Sequence, residues 1–313
     1  MSLNNVDQQY KVLVQKILNT GTGKDDRTGT STRSIFGHQM RFNLADGFPL
    51  ITTKKVFFKG IKGELLWFLE GSTSAKHLRD KYGVTIWDEW ERADGTLGPV
   101  YGKQWISWEK NLYNVNPYTK DINQIQNAID LLKTDPDSRR IMVSAWNVGE
   151  LDKMALQPCH VSFQFYTNKV NINDRCDHWC TSIGKSKYYA ENLSHKQLDS
   201  LKAPSREISM HLYQRSADTA LGIPFNIGSY ALLLHMFANQ LNMIPKELIM
   251  SFGDVHIYND HIDLIQEQIK REPRPLPKIY LNPEVNSIFD YSMEDIKLIK
   301  YSAHPAIKMN VSV

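Results

Sequence analysis

The sequence is short of cysteine, of net charge and of long apolar runs, and each shortage removes a class of protein. Its three cysteines, Cys159, Cys176 and Cys180, cannot all pair. A chain of 313 residues also buries enough core to fold without a covalent staple, so reduced thiols are expected. The 37 basic and 34 acidic residues leave a formal charge of +3, too little for a nucleic-acid coat or a polybasic membrane tail. Any anion site must therefore be a local cluster. Asp7 and Lys11 interrupt the opening stretch MSLNNVDQQYKVLVQKIL, so neither a secretory leader nor a membrane span is expected there or later, and a cytoplasmic location follows. No repeat, low-complexity tract or composition break marks a linker, which leaves one domain over residues 1–313 as the simplest organisation.

Against these absences stands ordinary globular patterning. Val6, Tyr10, Leu13, Ile17 and Leu18 recur at helical spacing between Asn4 or Asn5 as cap and Gly21 as stop. Phe36, His38, Met40, Phe42 and Leu44 alternate with polar or small neighbours, as in a strand with one buried face. IKGELLWFLEG and IGSYALLLHMFANQL are too apolar for surface helices. An amphipathic helix is expected near residues 122–132, strands at IMVSAW, HVSFQFYT and EISMHLYQ, and a helix at NDHIDLIQEQIKREP ended by Pro273. Helices and strands alternate without a strict βαβ rhythm, which predicts an α+β fold around a mostly antiparallel or mixed twisted sheet flanked by helices. Residues 172–206 are polar and turn-rich between two strands that a short hairpin could join, and read as an insertion.

Several residues could carry chemistry. Cys159 follows a proline at the entrance of a strand, a defined position for a nucleophile if positive charge lies near it, although a buried inert thiol fits as well. Arg27, Arg139, Arg140 and Arg215 sit in turn-like or strand-end contexts, several beside hydroxyl residues, a mixture suited to a phosphate; solvated surface arginines are the plain alternative. At about 100° per residue, Glu64 falls beside Ile61, Leu65 and Phe68 on a helical wheel. A carboxyl there is either desolvated, with a raised pKa that suits proton transfer, or paired with Lys59 or Lys62 at a helix edge. Cys176, His178 and Cys180 alternate along the chain. In an extended segment they would not face one ion together, so no metal is expected.

In this order, DDRTGTST, FPLITTKK, ELLWFLEGST, IWDEW, GPVYGKQW, DSRRIMVSAWNVGELDKMALQPCH, YQRSAD, LGIPFNIGSYALL, GDVHIYNDH and REPRPLP resemble the blocks of the thymidylate synthase family over nearly the whole chain outside residues 172–206. The resemblance implies that family's fold, with a sheet face as dimer interface, and a methyltransferase that converts dUMP to dTMP using 5,10-methylenetetrahydrofolate. Cys159 would attack uracil C6, and Arg215 would help to lower its pKa. Arg27, Arg215 and Ser216 would bind the nucleotide phosphate, joined by Arg139 and Arg140 from the second subunit of a homodimer. Asn226 would read the uracil edge, Ser229 would position the base, and His256 and Tyr258 would hold the sugar.

The same resemblance gives Glu64 a proton relay at uracil O4 and the folate, assisted by Tyr101 and His160. Trp87 would border the folate, Asp218 would lie beside the nucleotide and bond the pterin, Lys54 would approach the glutamate tail, and the Val313 carboxylate would latch the closed site. Gly63 and Phe57 depart from the pattern where many members carry histidine, and Gly228 where alanine is usual. A dUMP hydroxymethylase of the same superfamily, and a cysteine hydrolase built on Cys159 with His160 or His256, stay open as rivals. Membrane partners are not expected, and acidic residues in the insertion dilute its lysines enough to disfavour nucleic acid, RNA being the one form left open.

Overall fold

The computed structural model describes residues 4–25, 29–109, 121–186 and 193–311. Helix α1 (Asn5–Thr20) starts where the Asn4 side chain accepts hydrogen bonds from the backbone N–H groups of Val6 and Asp7, and stops at Gly21, as the spacing predicts. Asp7 is buried, yet its carboxylate accepts from the backbone N–H and the hydroxyl of both Thr52 and Thr53. It thereby ties the start of α1 to the loop before the next helix.

Strands β1 (Thr22–Lys24) and β2 (Thr32–Asn43) follow. Met40 and Phe42 are buried on β2 as expected, but Phe36 is 85% exposed. The reason is local: Gly37 adopts φ 82°, a left-handed conformation that breaks the regular pleat beside Phe36. Helix α2 (Phe58–Leu69) is buried nearly all round, Glu64 included. Helices α3 (Ala75–Tyr82), α4 (Gly102–Ile106) and α5 (Gln124–Thr134) lead to β3 (Met142–Ser144) and β4 (His160–Lys169). After the insertion come β5 (Arg206–Asp218), α8 (Gly222–Gln240), β6 (Ile244–Tyr258) and α9 (Ile262–Gln268). A separate hairpin of β7 (Lys278–Leu281) and β8 (Ile296–Ile299) lies near the end.

The main sheet has the order β1-β2-β6-β5-β4-β3, antiparallel except for β5 and β6. Those two run parallel because α8 is the crossover between them, and a crossover helix must pack back on its sheet. This explains why α8 lacks a polar face: thirteen of its residues are buried, from Ile223 to Ala238. The architecture is the expected α+β arrangement, a mostly antiparallel sheet with helices.

The described parts of the 172–206 segment, residues 172–186 and 193–206, are more helical than a turn-rich reading suggests. Helices α6 (Ile172–Ser182) and α7 (His195–Ser200) enclose a small core of Cys176, Cys180, Leu198 and Ala203. Buried Arg175 closes it, donating to Asp199 and to the carbonyls of Ala203 and Pro204. Cys176 and Cys180 share one face of α6, and His178 points elsewhere on the helix. The sequence pattern missed this because a helix of eleven residues carrying several polar residues shows little periodicity.

Gly63 and Gly228 stand at tight contacts. A Cβ on Gly63 would lie 2.9 Å from Val84 and 3.1 Å from Tyr82, and one on Gly228 would lie 2.8 Å from Ile61 and 3.0 Å from Leu50. At both places the neighbours fill the space a larger residue would use. Gly102 is tighter still: its Cβ would meet the Phe68 carbonyl oxygen at 2.5 Å and Phe68 Cα at 2.8 Å, and backbone cannot move aside as a side-chain tip can. Gly102→Ala is therefore expected to lower stability by about 1–3 kcal/mol, whereas Gly23→Ala, with nothing within 4 Å, should be neutral. Thermal melts of the two variants at equal protein concentration check this, and equal midpoints would refute the contact.

Candidate active site

Cys159 lies just before β4, held from two sides. Its carbonyl accepts from the backbone N–H of Arg215 at 2.9 Å, and its own N–H donates to the Tyr101 hydroxyl at 2.8 Å. The Arg215 guanidinium donates to the carbonyls of Pro158 and Gln157 and lies 5.3 Å from the Trp146 ring. The strand alternation of YQRSAD thus turns one arginine toward the segment that presents the thiol. Electrostatically, burial pushes the Cys159 thiol up, and Arg215 and a hydrogen bond with Tyr101 pull it down only in part. The expected lowering by Arg215 is present but outweighed: desolvation costs a thiolate more than one half-exposed cation returns. The resting group is a thiol.

Across the cleft, Glu64 sits on α2. Burial pushes its carboxyl up to about 7, partly opposed by the Trp87 indole N–H, which donates to it at 2.7 Å. Of the two readings of Glu64, the desolvated carboxyl is the one found, since Lys62 instead donates to the carbonyls of Met293 and Ile296. Trp87 stacks 5.8 Å from Tyr101, and Tyr101 lies 5.2 Å from the His160 ring. Tyr101 has φ 27° and ψ −87°, a conformation that costs an L-residue about 1–3 kcal/mol and is fixed by the close approach of Gly102 to α2. Burial raises the Tyr101 hydroxyl well above its usual value, and the charges of Cys159 and Glu64 add to that. His160 is driven the other way, down to about 4 by burial despite a hydrogen bond with Asn226. Cys159, Glu64, Trp87, Tyr101, His160 and Asn226 therefore form one connected, largely dry cluster.

The remaining expected residues divide into two groups. Ser216 and Asp218 lie on β5 directly opposite Asp254 and His256 of β6. The His256 ring contacts Asp254 at 3.1 Å and packs edge-on against Tyr258, 5.2 Å away. Asp218 is already engaged, accepting from the N–H groups of Ala220 and Leu221 ahead of α8, and Ser229 is buried on that helix. Lys54 is buried rather than displayed: its ammonium donates to the Ala220 carbonyl at 2.5 Å, and desolvation brings its pKa down to about 8 against the opposing pull of Asp218.

Arg139 and Arg140 stand apart. The Ile141 carbonyl bonds to Phe165, six residues along β4 from Cys159, which at about 3.3 Å per residue puts these arginines roughly 20 Å from the thiol. The structure does not bring them to this chain's Cys159. Arg27 and Val313 lie outside the described residues.

Sequence reasoning missed Gln214 and Trp146. Gln214 is buried and donates to the Asn226 amide oxygen at 3.0 Å, fixing how Asn226 faces the cleft. The signal was available: in EISMHLYQ it occupies the same inward phase as Met210 and Leu212, where a polar residue needs a partner. Trp146, by contrast, gives no such sign in the sequence.

Glu64 makes the electrostatics testable. Between its ordinary value of 4.5 and about 7, the unfolded chain has lost this proton and the folded chain keeps it. Its contribution to stability is thus complete below 4.5, is lost as pH rises through the window, and is level above it. Glu64→Gln cannot ionise, so its stability relative to wild type should improve by about 3 kcal/mol across that window. Urea denaturation of both proteins at the two ends of the window measures this, and a pH-independent difference would show that the carboxyl is not held protonated.

Residues 8–313 match the family model described as thymidylate synthase. With that match covering almost the entire chain and a thiol, a desolvated carboxyl and a half-buried amide linked through Tyr101 and His160, the chain belongs to the thymidylate synthase family of enzymes.

Proposed function

We propose that this chain reductively methylates dUMP to dTMP, with 5,10-methylenetetrahydrofolate as co-substrate. The observation that supports this most is the pairing of Cys159 with the buried Glu64 through Tyr101 and Trp87. Attack of sulfur on uracil C6 moves an electron pair toward O4, and the thiol proton must leave as the bond forms. Glu64, titrating near 7, can give a proton at O4 and take one back later through water. Addition at C6 turns C5 into a carbon nucleophile, since without it the pyrimidine is too weak to attack a one-carbon unit. The folate supplies that carbon and then a hydride, and leaves as dihydrofolate.

Asn226 suits the uracil edge. Its amide N–H can donate to O4, and its oxygen, already accepting from Gln214, has a second lone pair for the N3–H. The neutral His160 beside it can hold a proton acceptor toward the cleft. Arg215 and Ser216 on β5 would meet the phosphate, His256 and Tyr258 the sugar, and Trp87 and Asp218 the folate ring. Arg27 and Val313 complete the proposal from the sequence alone.

A second copy of the chain supplies what one copy misplaces. Met142, Tyr166 and Tyr213 are exposed on the open sheet face, and a groove of about 630 Å³ there is bordered by Arg139, Gln164, Tyr166 and His211. A homodimer closed over this face covers those side chains and brings the partner's phosphate arginines toward a cleft that its own lie too far from. Among the described residues no group of three or more histidine, cysteine or acidic side chains is placed to hold a metal ion. Nor is any helix among them long and apolar enough to cross a membrane.

The deciding experiment is incubation with 5-fluoro-dUMP and methylenetetrahydrofolate, followed by mass spectrometry of the digested protein. A fluorine at C5 cannot leave as a proton does, so a covalent nucleotide–folate adduct should accumulate on Cys159, and Cys159→Ser should form none. An adduct on Cys176 or Cys180, or no adduct at all, would refute the mechanism. With dUMP itself, a product carrying an extra oxygen would indicate hydroxymethylation instead.

A further inference from the structure

Residues 301–311 have no regular secondary structure and run as a strap across the body. The strap is fastened at intervals. The His304 N–H donates to the Thr52 carbonyl at 2.8 Å, Arg271 donates to the Pro305 carbonyl at 2.8 Å, and the Lys54 ammonium lies 3.9 Å from the Met309 sulfur. Beyond these, His261 Nε2 lies 2.8 Å from the Asn310 carbonyl oxygen.

This fourth contact differs from the others in where it leads. His261 ends a short helical turn, Asn259–His261, that directly follows β6, and its side chain is 1% exposed. A carbonyl oxygen can only accept, so Nε2 carries the proton, and Nδ1 is buried with no hydrogen-bond partner among the described residues. The Asp260 carboxylate stands 3.9 Å from Nε2, too far for a hydrogen bond that would compete for its proton. The imidazole face packs against the Tyr258 ring at 5.8 Å and 78°, and Tyr258 packs in turn against His256. One buried ring thus touches the strap on one side and, on the other, the pair assigned above to the nucleotide sugar.

We propose that His261 is a positioning residue that couples the C-terminal strap to the sugar pocket: the Tyr258 ring orients its imidazole, and Nε2–H holds the strap by the Asn310 carbonyl. Occupancy of the sugar pocket would then favour the fastened strap, and a fastened strap would favour the filled pocket, since such coupling is reciprocal. The proposal rests on the function argued above. What it adds is that strap closure depends on a side chain in contact with neither substrate.

His261→Leu keeps a buried, similar-sized side chain but cannot donate, and His261→Gln restores a donor. His261→Leu should lower kcat about tenfold, the cost of one buried hydrogen bond made in the closed state. The Kd for dUMP alone, read by titration, should rise about fivefold, because a strap that favours the filled pocket must, once released, disfavour it. Dihydrofolate formation should also fall behind release of tritium from [5-³H]dUMP, because an unfastened strap lets the reaction start without finishing. His261→Gln should recover most of both readouts. Unchanged kcat and coupling in His261→Leu would overturn the proposal. So would equal losses in the Leu and Gln variants accompanied by equal falls in melting temperature, since that pattern marks a purely structural residue.

Limited digestion with carboxypeptidase supplies an arm that does not depend on activity. Faster trimming of the His261→Leu chain than of wild type supports the fastening, and equal trimming refutes it. If the wild-type protein forms no dTMP, the function fails while the digestion result still decides whether His261 holds the strap.

Discussion

The burial of α8 is the constraint on which the rest of the molecule depends. A nineteen-residue helix without a polar face has to be covered on all sides, by the sheet below and by α2 above, and covering it determines the remaining geometry. It forces the only parallel pairing in the main sheet among the described residues, β5 with β6, because the helix is their crossover. That pairing sets Ser216 and Asp218 opposite Asp254 and His256. It also carries Asn226 and Ser229 on the first turns of the helix to the same end of the sheet where Cys159 leads into β4. The cleft is where the buried helix, the ends of two parallel strands and the start of a third converge.

Burial also determines the charge state of that cleft. Glu64 is pushed up, Tyr101 is pushed up, His160 is pushed down and the Cys159 thiol is pushed up, and in every case desolvation is the largest cause. These shifts share one sense: each group favours its neutral form. A cleft of this kind is unsuited to holding fixed charges and well suited to passing protons, because neutral groups can trade them without first removing a hydration shell. Arg215 lies at the rim, where its guanidinium reaches backbone carbonyls and the Trp146 ring and where an anionic group could replace the carbonyls as partner.

Much of this was legible in the sequence, and what was not has physical causes. Helix α1 with its Asn4 cap, the apolar α2 and α8, and strands β3 to β5 follow from periodicity because each has a simple relation to one core. The wheel position of Glu64 left desolvation and a lysine pair both open, and only the packing of α2 decided for desolvation. The longest described strand, β6 (Ile244–Tyr258), went unnamed: it lies between two neighbours with one end at the cleft, and its mixture of glycine, aspartate and histidine hides the alternation of Leu248, Met250 and Phe252. Phe36 was assigned to a buried face because nothing in the local pattern reveals a left-handed Gly37. The partial failure of Arg215 to lower the Cys159 pKa was not legible either, since spacing identifies a neighbouring charge but not the depth of burial that opposes it.

Residues 172–206 show how a long segment between two strands can coexist with an intact cleft. Strand β4 starts at Cys159's neighbour His160, paired with Gln214, and runs to Lys169, paired with Arg206. Residues 172–206 therefore join the sheet nine positions from the His160 end, roughly 30 Å away at the rise of an extended strand. At that distance two added helices cannot displace the nucleophile. Their own core, Cys176, Cys180, Leu198 and Ala203 around the buried Arg175 network, means that they do not draw apolar side chains away from the main core. The strand pair acts as a spacer, so length can change at its far end without changing the register that places Cys159 beside Arg215.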